Sequence, residues 1–251
     1  MALNVIVVAH PDDETLWLSS ALGGSDRVVF CFGEPFDKPA KGAARRLAVA
    51  ALPLTGVVDI GLPESGARFL VDWANAQVTQ QGIAITEPEP RQRYEENFIK
   101  LVTALRVQLK GAETVYTHNP WGEYGHAEHI QVYRAVRLLQ AELGFTIWFS
   151  NYVGSRSWAL ARRLGQEPCW TRRRMARPDR QLARTLMGVY RRFGAWTWAR
   201  SHRWPVYETL YAQPPAGESE RWQPLKGEWL LDVAGLRWWR LPWQKARRRL
   251  V

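Results

Sequence analysis

Two short stretches of the chain carry the residue types that can do chemistry. Residues 10–14 read HPDDE and directly follow an apolar run, and residues 126–129 read HAEH. The first stretch places an imidazole and two carboxylates where a buried strand is expected to end. The second places two imidazoles one helical turn apart. Together they offer two histidines and an aspartate to one divalent metal and leave a further carboxylate as a base, which is typical of a hydrolytic zinc site with one position open for water.

Spacing alone leaves the ligand set open. His10 and Asp13 bracket a turn that Pro11 stiffens, and His126 and His129 lie at i and i+3 on one face of a predicted helix. All four of these histidine and aspartate side chains are therefore candidate ligands. The simpler interpretation of any single one is a capping aspartate or a hydrogen-bonded histidine. The coincidence of two dense clusters favours the metal site over that interpretation.

The elements that would position the clusters alternate between strand and helix. Strands are predicted over 3–9, 28–32, 57–60, 114–117 and 145–149, and helices over 13–22, 43–51, 91–109 and 128–143. This alternation indicates an α/β fold with a Rossmann-like, mostly parallel sheet and helices on both faces. Ligands of such sheets bind at the carboxyl ends of strands, and both clusters lie at or near such ends.

The two parts of the chain differ in charge and composition. Residues 1–150 hold 13 Lys and Arg against 17 Asp and Glu, whereas residues 151–251 hold 21 against 7 and ten of the fourteen Trp. We therefore predict an α/β catalytic core over 1–150 and a basic, Trp-rich C-terminal extension over 151–251 that completes the domain. In the extension, helices are predicted over 155–164 and 179–193, and short strands over 207–212 and 228–233.

The basic extension is expected to face something anionic. Trp and Arg interleave over 236–251, a composition that suits the headgroup layer of an anionic membrane. The competing interpretation places these Trp in the core or against a sugar, and the Arg on a solvated face. A nucleic-acid partner is not expected, because no recognition-helix, finger or RNA-binding signature is present and such a role would leave the metal cluster unexplained.

Cysteine use and hydropathy predict a cytoplasmic protein. Only Cys31 and Cys169 are present, so no disulfide framework is indicated. The N-terminal apolar run is too short for a signal peptide, and no stretch approaches the roughly 20 apolar residues that cross a bilayer. A peripheral position at the inner membrane face is the alternative, and the oligomeric state is left open.

The two motifs together resemble the LmbE-like, or PIG-L, family of N-acetylglucosaminyl de-N-acetylases. That family has His-Pro-Asp-Asp-Glu after its first strand and a His-x-x-His motif downstream, and residues 124–129 of this chain, YGHAEH, are close to a YGHPDH stretch found in it. The resemblance covers residues 1–150 in strand order and spacing. It implies that His10, Asp13 and His129 hold zinc and that Asp12 is the general base toward the attacking water. Fe(II) and Co(II) are alternatives, since metal selectivity depends partly on availability.

The resemblance implies further roles around the scissile amide. His126 would stabilise the oxyanion or protonate the leaving amine, and Tyr124 would polarise the acetamide carbonyl. Ala127 stands where the family often has Pro. Glu128 stands where Asp is usual, and the longer arm of Glu128 reaches His126 differently.

Three further residues are candidate substrate contacts. Arg68 follows the third strand, where the family tends to place a sugar-binding arginine. His118 and Asn119 follow the fourth strand, and a hydrogen-bonded turn is an equally good interpretation of both.

These observations predict a zinc-dependent de-N-acetylase that releases acetate from an N-acetylhexosamine in a glycoconjugate, including a lipid-linked glycan or a lipopolysaccharide core. One alternative is a deacylase of a soluble glycoside, such as a thiol-precursor pseudodisaccharide or a glycosylated antibiotic. An alternative of another class is a catalytically silent carbohydrate- or membrane-binding protein on the same fold.

Overall fold

The described residues form one seven-stranded sheet and one two-stranded sheet. The structure, a computed structural model, describes residues 2–36, 38–164, 172–199, 201–216 and 232–233. The strands are β1 (Leu3–Val8), β2 (Arg27–Glu34), β3 (Val57–Pro63), β4 (Ala112–Thr117), β5 (Thr146–Ser150), β6 (Tyr152–Val153), β7 (Arg172–Ala176), β8 (Glu208–Gln213) and β9 (Asp232–Val233). The helices are α1 (Asp13–Trp17), α2 (Pro39–Ala50), α3 (Pro88–Gln108), α4 (Ala127–Leu143), α5 (Trp158–Leu164) and α6 (Arg180–Arg192).

The large sheet has the order β3-β2-β1-β4-β5-β8-β7. Strands β3, β2, β1, β4 and β5 are parallel, β8 runs antiparallel to β5, and β7 runs antiparallel to β8. The predicted α/β fold with a mostly parallel sheet is therefore confirmed. The strand order reverses between β1 and β4, and the crevice at such a switch point is where ligands bind in open α/β sheets.

Strand β1 is the centre of the sheet because its sequence is apolar on both faces. Residues 5–8 are all fully buried. Val5 and Val7 join the core cluster with α3, α4 and α5, whereas Ile6 and Val8 join the cluster with α1, α2 and α6. Near-continuous β-branched runs of this kind are typical of strands covered on both faces.

The region after residue 150 is part of the same sheet. Strands β7 and β8 extend it at one edge, and Leu186 and Tyr190 of α6 are fully buried against one face. The predicted strand over 228–233 lies outside the described residues apart from Asp232–Val233, and so does the Trp- and Arg-rich tail over 236–251. Within the described part of the chain, no helix combines the length and apolar character needed to cross a bilayer.

The first helix is shorter than the predicted helix over 13–22. It ends at Trp17, because the next residues bond to another part of the chain. The Ser19 hydroxyl donates to Glu208 Oε1 at 2.5 Å and the Ser20 amide donates to Glu208 Oε2 at 2.8 Å. Serine side chains that bond elsewhere compete with helix continuation, and this partner is 189 residues away, so local sequence could not reveal it.

Candidate metal centre

The turn after β1 adopts an unusual backbone conformation. Asp12 has φ of 108°, in the left-handed region that residues other than glycine rarely adopt, and its side chain makes no capping hydrogen bond to α1. The Asp13 amide donates to the His10 carbonyl at 3.1 Å and closes the turn. The turn thereby brings His10, Asp12 and Asp13 to one end of the cavity described below.

Asp13 is held in place by hydrogen bonds on both carboxylate oxygens. Its Oδ1 accepts from the Trp17 indole at 3.0 Å, and its Oδ2 accepts from the His10 amide at 2.8 Å. The same Oδ2 lies 3.1 Å from His10 Nδ1 and 3.3 Å from His129 Nε2. Burial acts to raise the pKa of Asp13, but His129 and the other histidines outweigh it and hold this pKa well below its ordinary value.

The second cluster meets the first at the start of α4. His126 is the residue before the first turn of α4, and both His126 and His129 are buried. The ring centroids of His126 and His129 are 4.6 Å apart, those of His10 and His126 4.8 Å, and those of His10 and His129 5.3 Å. The two stretches predicted to form one site are therefore brought together.

The donor set fits a divalent metal. Nitrogen ligand atoms of His10, His126 and His129 lie within 4.8 Å of one another, and so do ligand atoms of Asp13, His118 and His129. Nε2 of His10 and Nε2 of His129 are buried and make no hydrogen bond to the described residues. Each of these two nitrogens lies 3.3 Å from a buried or largely buried carboxylate oxygen, of Glu64 and of Asp13 respectively, so a cation bound by the imidazole lone pairs would be balanced by negative charge.

The electrostatics of the cluster also favour a cation. Burial lowers the pKa of His129, but Asp13 and Glu123 on its two sides outweigh burial and raise this pKa to about 10. Positive charge is thus stabilised at this imidazole, between two buried carboxylates. A bound divalent cation would supply that charge in place of a proton.

Glu123 is a buried carboxylate that the sequence analysis did not identify. Its Oε2 lies 2.6 Å from His129 Nδ1 and 3.0 Å from His118 Nδ1. Burial acts to raise the pKa of Glu123, but His118 and His129 lower it to about 2, so the carboxylate is ionised. A carboxylate behind a histidine fixes its tautomer, which here directs His129 Nε2 toward Asp13.

His118 and Asn119 have partners on all their polar side-chain atoms. His118 Nε2 accepts from the Ala9 amide at 2.8 Å while Nδ1 faces Glu123. The Asn119 amide nitrogen donates to two backbone carbonyls, and its oxygen accepts from the Glu123 amide at 2.9 Å. Neither residue lines the cavity. These contacts support the hydrogen-bonded-turn interpretation of both residues, and their role as substrate contacts stays a prediction.

Thr197, which follows α6, holds the Asp12 side chain with two hydrogen bonds. Asp12 Oδ2 accepts from the Thr197 amide at 2.9 Å and from the Thr197 hydroxyl at 2.7 Å. Burial and the nearby Asp13 raise the pKa of Asp12 to about 8, and the two bonds from Thr197 oppose that rise. The following residue, Trp198, packs against Tyr124 with ring centroids 5.1 Å apart.

Glu128 contacts the His126 ring, although its side chain is longer than that of the Asp with which it was compared above. Glu128 Oε2 lies 3.2 Å from His126 Nδ1. Its Oε1 accepts from the hydroxyl of Ser65 at 2.6 Å and from the amide of Ser65 at 3.2 Å. Burial lowers the pKa of His126 to about 4. Ser65 therefore orients Glu128, and Glu128 in turn lies beside His126.

A cavity of about 370 Å³ opens onto the cluster. Its volume is in the range of small-molecule sites. Arg68 and Tyr124 line it, and their contacts with a substrate stay a prediction. The lining residues are His10, Asp12, Asp13, Leu16, Pro35, Phe36, Lys38, Lys41, Arg45, Glu64, Gly66, Arg68, Phe69, Tyr124, His126, Thr197 and Trp198.

Comparison with known proteins identifies the fold. No family model and no curated protein sequence matches this chain. A solved deacetylase–teicoplanin complex from the biosynthesis of teicoplanin matches with a TM-score of 0.55 and 13% identity over 86% of this chain and 100% of that one. The zinc-inhibited form of teicoplanin deacetylase Orf2 matches with a TM-score of 0.55 and 12% identity over 83% of this chain and 97% of that one. The deacetylase Dbv21, which is described as acting on A40926 pseudoaglycone, matches with a TM-score of 0.50 and 13% identity over 86% of this chain and 99% of that one.

This likeness shows that the chain has the fold of these deacetylases. The resemblance inferred from the two motifs is thereby confirmed at the level of fold. At identities this low the comparison carries no more than the fold, so the activity is argued from the site.

Proposed function

We propose that this protein hydrolyses the N-acyl group of an N-acetylated amino sugar in a glycoconjugate and releases acetate and a free amine. One observation carries the proposal: two distant stretches bring His10, Asp13 and His129 together, with Asp12 beside them on the cavity wall. The arrangement occurs in a fold shared with deacetylases that bind or modify glycosylated antibiotics.

His10, Asp13 and His129 would hold zinc, or another divalent ion such as Fe(II). A bound zinc ion would polarise the acetamide carbonyl and lower the pKa of water. Asp12 lines the cavity and is held by Thr197 rather than by the histidines. In its ionised form, Asp12 would take a proton from the attacking water.

Two further side chains act on the amide. Tyr124 lines the cavity, and its ring lies 5.8 Å from that of His126, centroid to centroid. Its hydroxyl would donate to the acetamide oxygen, which gains negative charge as the carbonyl is attacked. His126 would stabilise that oxygen or deliver a proton to the leaving amine, with Glu128 positioning its ring.

The substrate is best described as a soluble glycoside. Solved deacetylases of the same fold are described as a complex with teicoplanin and as a deacetylase of A40926 pseudoaglycone, which favours a soluble glycoside here as well. A lipid-linked glycan or lipopolysaccharide core stays a prediction, as does docking of the 236–251 tail on an anionic membrane. Liposome flotation of the full chain and of a chain ending at residue 235 tests the membrane prediction.

The function is tested by measuring acetate release from a panel of N-acetylhexosamine glycosides, with and without chelator. We expect release that the chelator abolishes and zinc restores. Asp12→Ala should lose turnover but keep stoichiometric zinc. His129→Ala should lose zinc, whereas the control His202→Ala should keep it, because His202 lies outside the cluster.

A catalytically silent binding protein would give a different pattern. It would bind N-acetylhexosaminides without releasing acetate and would have no need of stoichiometric zinc. That result would overturn the proposed function.

A further inference from the structure

The cavity is lined by basic side chains that the proposed deacetylation chemistry does not use. Lys38, Lys41 and Arg68 line it, with the aromatic rings of Phe36 and Phe69 beside them. The Phe36 ring lies against Gly66, so the segment before α2 and the segment that carries Arg68 contact each other in one wall of the cavity. This wall is distinct from the cluster of His10, Asp13 and His129.

Helix α2 carries three cationic side chains, and two of them are paired. Arg45 lies 2.9 Å from Glu64 and Arg46 lies 2.7 Å from Glu34. Lys41, which is half-buried in the cavity wall, has no carboxylate within 4.0 Å among the described residues. Of the three cations of α2, the Lys41 ammonium group is therefore the one that is not paired with a described carboxylate and can bind a ligand.

The surroundings of Lys41 add to the positive potential. Helix α2 has no acidic residue in its first turn, so its positive end is not neutralised there. Arg68 forms no ion pair within 4.0 Å in the described part of the chain, although it lowers the pKa of the nearby Glu64. Its guanidinium lies 5.1 Å from the centre of the Phe69 ring. Cations gathered around a cavity raise the local concentration of an anionic substrate.

The aromatic side chains of the same wall are unusually accessible. Phe36 is 54% exposed and Phe69 is 69% exposed. A phenyl ring beside a lysine or an arginine suits a ligand that presents both a ring and a negative charge. A neutral sugar would leave Lys41 without a partner.

We propose that the substrate carries an anionic group next to the N-acetylated sugar, and that Lys41 binds this group with support from Lys38 and Arg68. The group is a phosphate or a carboxylate, two anions that an ammonium recognises in the same way. The inference rests on the proposed deacetylation and narrows its substrate class.

The test compares three substrates that differ only at the anomeric substituent: methyl N-acetylglucosaminide, N-acetylglucosamine 1-phosphate and the carboxymethyl glycoside of N-acetylglucosamine. We expect kcat/KM for at least one anionic substrate to exceed that of the methyl glycoside by about tenfold or more at low salt, and the advantage to shrink as salt is added. Preference for the phosphate or for the carboxymethyl glycoside identifies which anion is bound.

Lys41→Gln should reduce that preference about tenfold through KM, and Lys41→Gln with Arg68→Gln should abolish it. Lys100→Gln, an exposed lysine of α3 away from the cavity, is the matched control and should keep it. Equal kcat/KM for neutral and anionic substrates, or a preference that survives the double substitution, overturns the anionic site while leaving the deacetylase intact.

Binding separates the two proposals when no acetate is released. Calorimetry with glucosamine 1-phosphate and methyl glucosaminide measures the preference without turnover. Tighter binding of the phosphate that depends on Lys41 supports the anionic site even if the deacetylase proposal fails. Equal binding of the two compounds overturns it.

Discussion

Glu123 Oε2 lies 2.6 Å from His129 Nδ1, and the same oxygen lies 3.0 Å from His118 Nδ1. One buried carboxylate therefore orients both imidazoles behind Asp13. The backbone of Glu123 has φ of 48°, in the left-handed region, so the turn after β4 is strained at Glu123. The strained turn directs the negative charge of the Glu123 carboxylate at His129 Nδ1. Because Nδ1 is occupied in this way, Nε2 of His129 is the nitrogen that remains for a metal.

Glu123→Gln should weaken zinc binding by about 10- to 100-fold, because an amide orients His129 without supplying a full negative charge. Zinc affinity is measured by competition with a chromogenic chelator. The control is Glu142→Gln, since Glu142 lies on the surface of α4 and pairs with Arg106. Equal zinc affinity in wild type and Glu123→Gln would show that Glu123 serves only the turn.

Thr197→Val should lower kcat about tenfold with little change in KM, because the Asp12 carboxylate loses a hydroxyl donor at 2.7 Å and turns more freely. Thr197→Ser keeps the hydroxyl and should restore most of the rate. Zinc content should stay unchanged in both variants, since Thr197 bonds to Asp12 and not to the histidines. A kcat for Thr197→Val equal to that of wild type would contradict a positioning role.

Much of the fold was predictable because its elements are determined locally. The apolar run before His10 indicated a central strand covered on both faces, and the alternation of strand and helix indicated the five parallel strands. The edge strands were less accessible to sequence reasoning. Strand β8 was expected as an element, but its antiparallel pairing with β5 joins residues that are 60 to 66 positions apart.

The site was predictable only where residue type and spacing carry the chemistry. His10, Asp13, His126 and His129 stand in two dense motifs and were brought together as expected. Glu123 lies next to the recognised Tyr124, but its role depends on a left-handed turn that residue type does not announce. Thr197 is 185 residues from Asp12 and has no motif of its own.

Gly122 lies in the turn after β4 at a position where an added side chain would collide with backbone. It has φ of 68°, and a Cβ there would lie 2.6 Å from the His126 carbonyl oxygen. Gly144 at the end of α4 has φ of 80° with nothing within 4 Å of an added Cβ. Gly144→Ala should therefore lower the free energy of unfolding by about 1 to 2 kcal/mol, from backbone strain alone.

Gly122→Ala should lower the free energy of unfolding by at least about 2 kcal/mol more than Gly144→Ala, because it adds a clash with backbone to the same strain. Turnover should fall with it, since the clash displaces His126, the proposed proton donor. Urea denaturation of the two variants measures the difference. Equal losses of stability would mean that the turn can shift at little cost.

Glu208 should make the stability of the protein decline with rising pH. It is a buried carboxylate that accepts from Ser19 and Ser20, and burial raises its pKa above the ordinary value of 4.5 despite those bonds. At pH values between 4.5 and the raised pKa, Glu208 keeps a proton in the folded state that it has released in the unfolded state. The contribution of Glu208 to stability is thus full below pH 4.5 and is lost as the pH rises through the folded-state pKa.

Glu208→Gln removes this titration while its amide can still accept from Ser20 and donate to Ser19. The free energy of unfolding of the variant, minus that of wild type, should therefore increase as the pH rises above 4.5, by up to about 1.4 kcal/mol per pH unit until the folded-state pKa is reached. Urea denaturation at a series of pH values measures this difference, in which the titration of other carboxylates cancels. A difference that does not change with pH would mean that Glu208 titrates alike in the folded and unfolded chains.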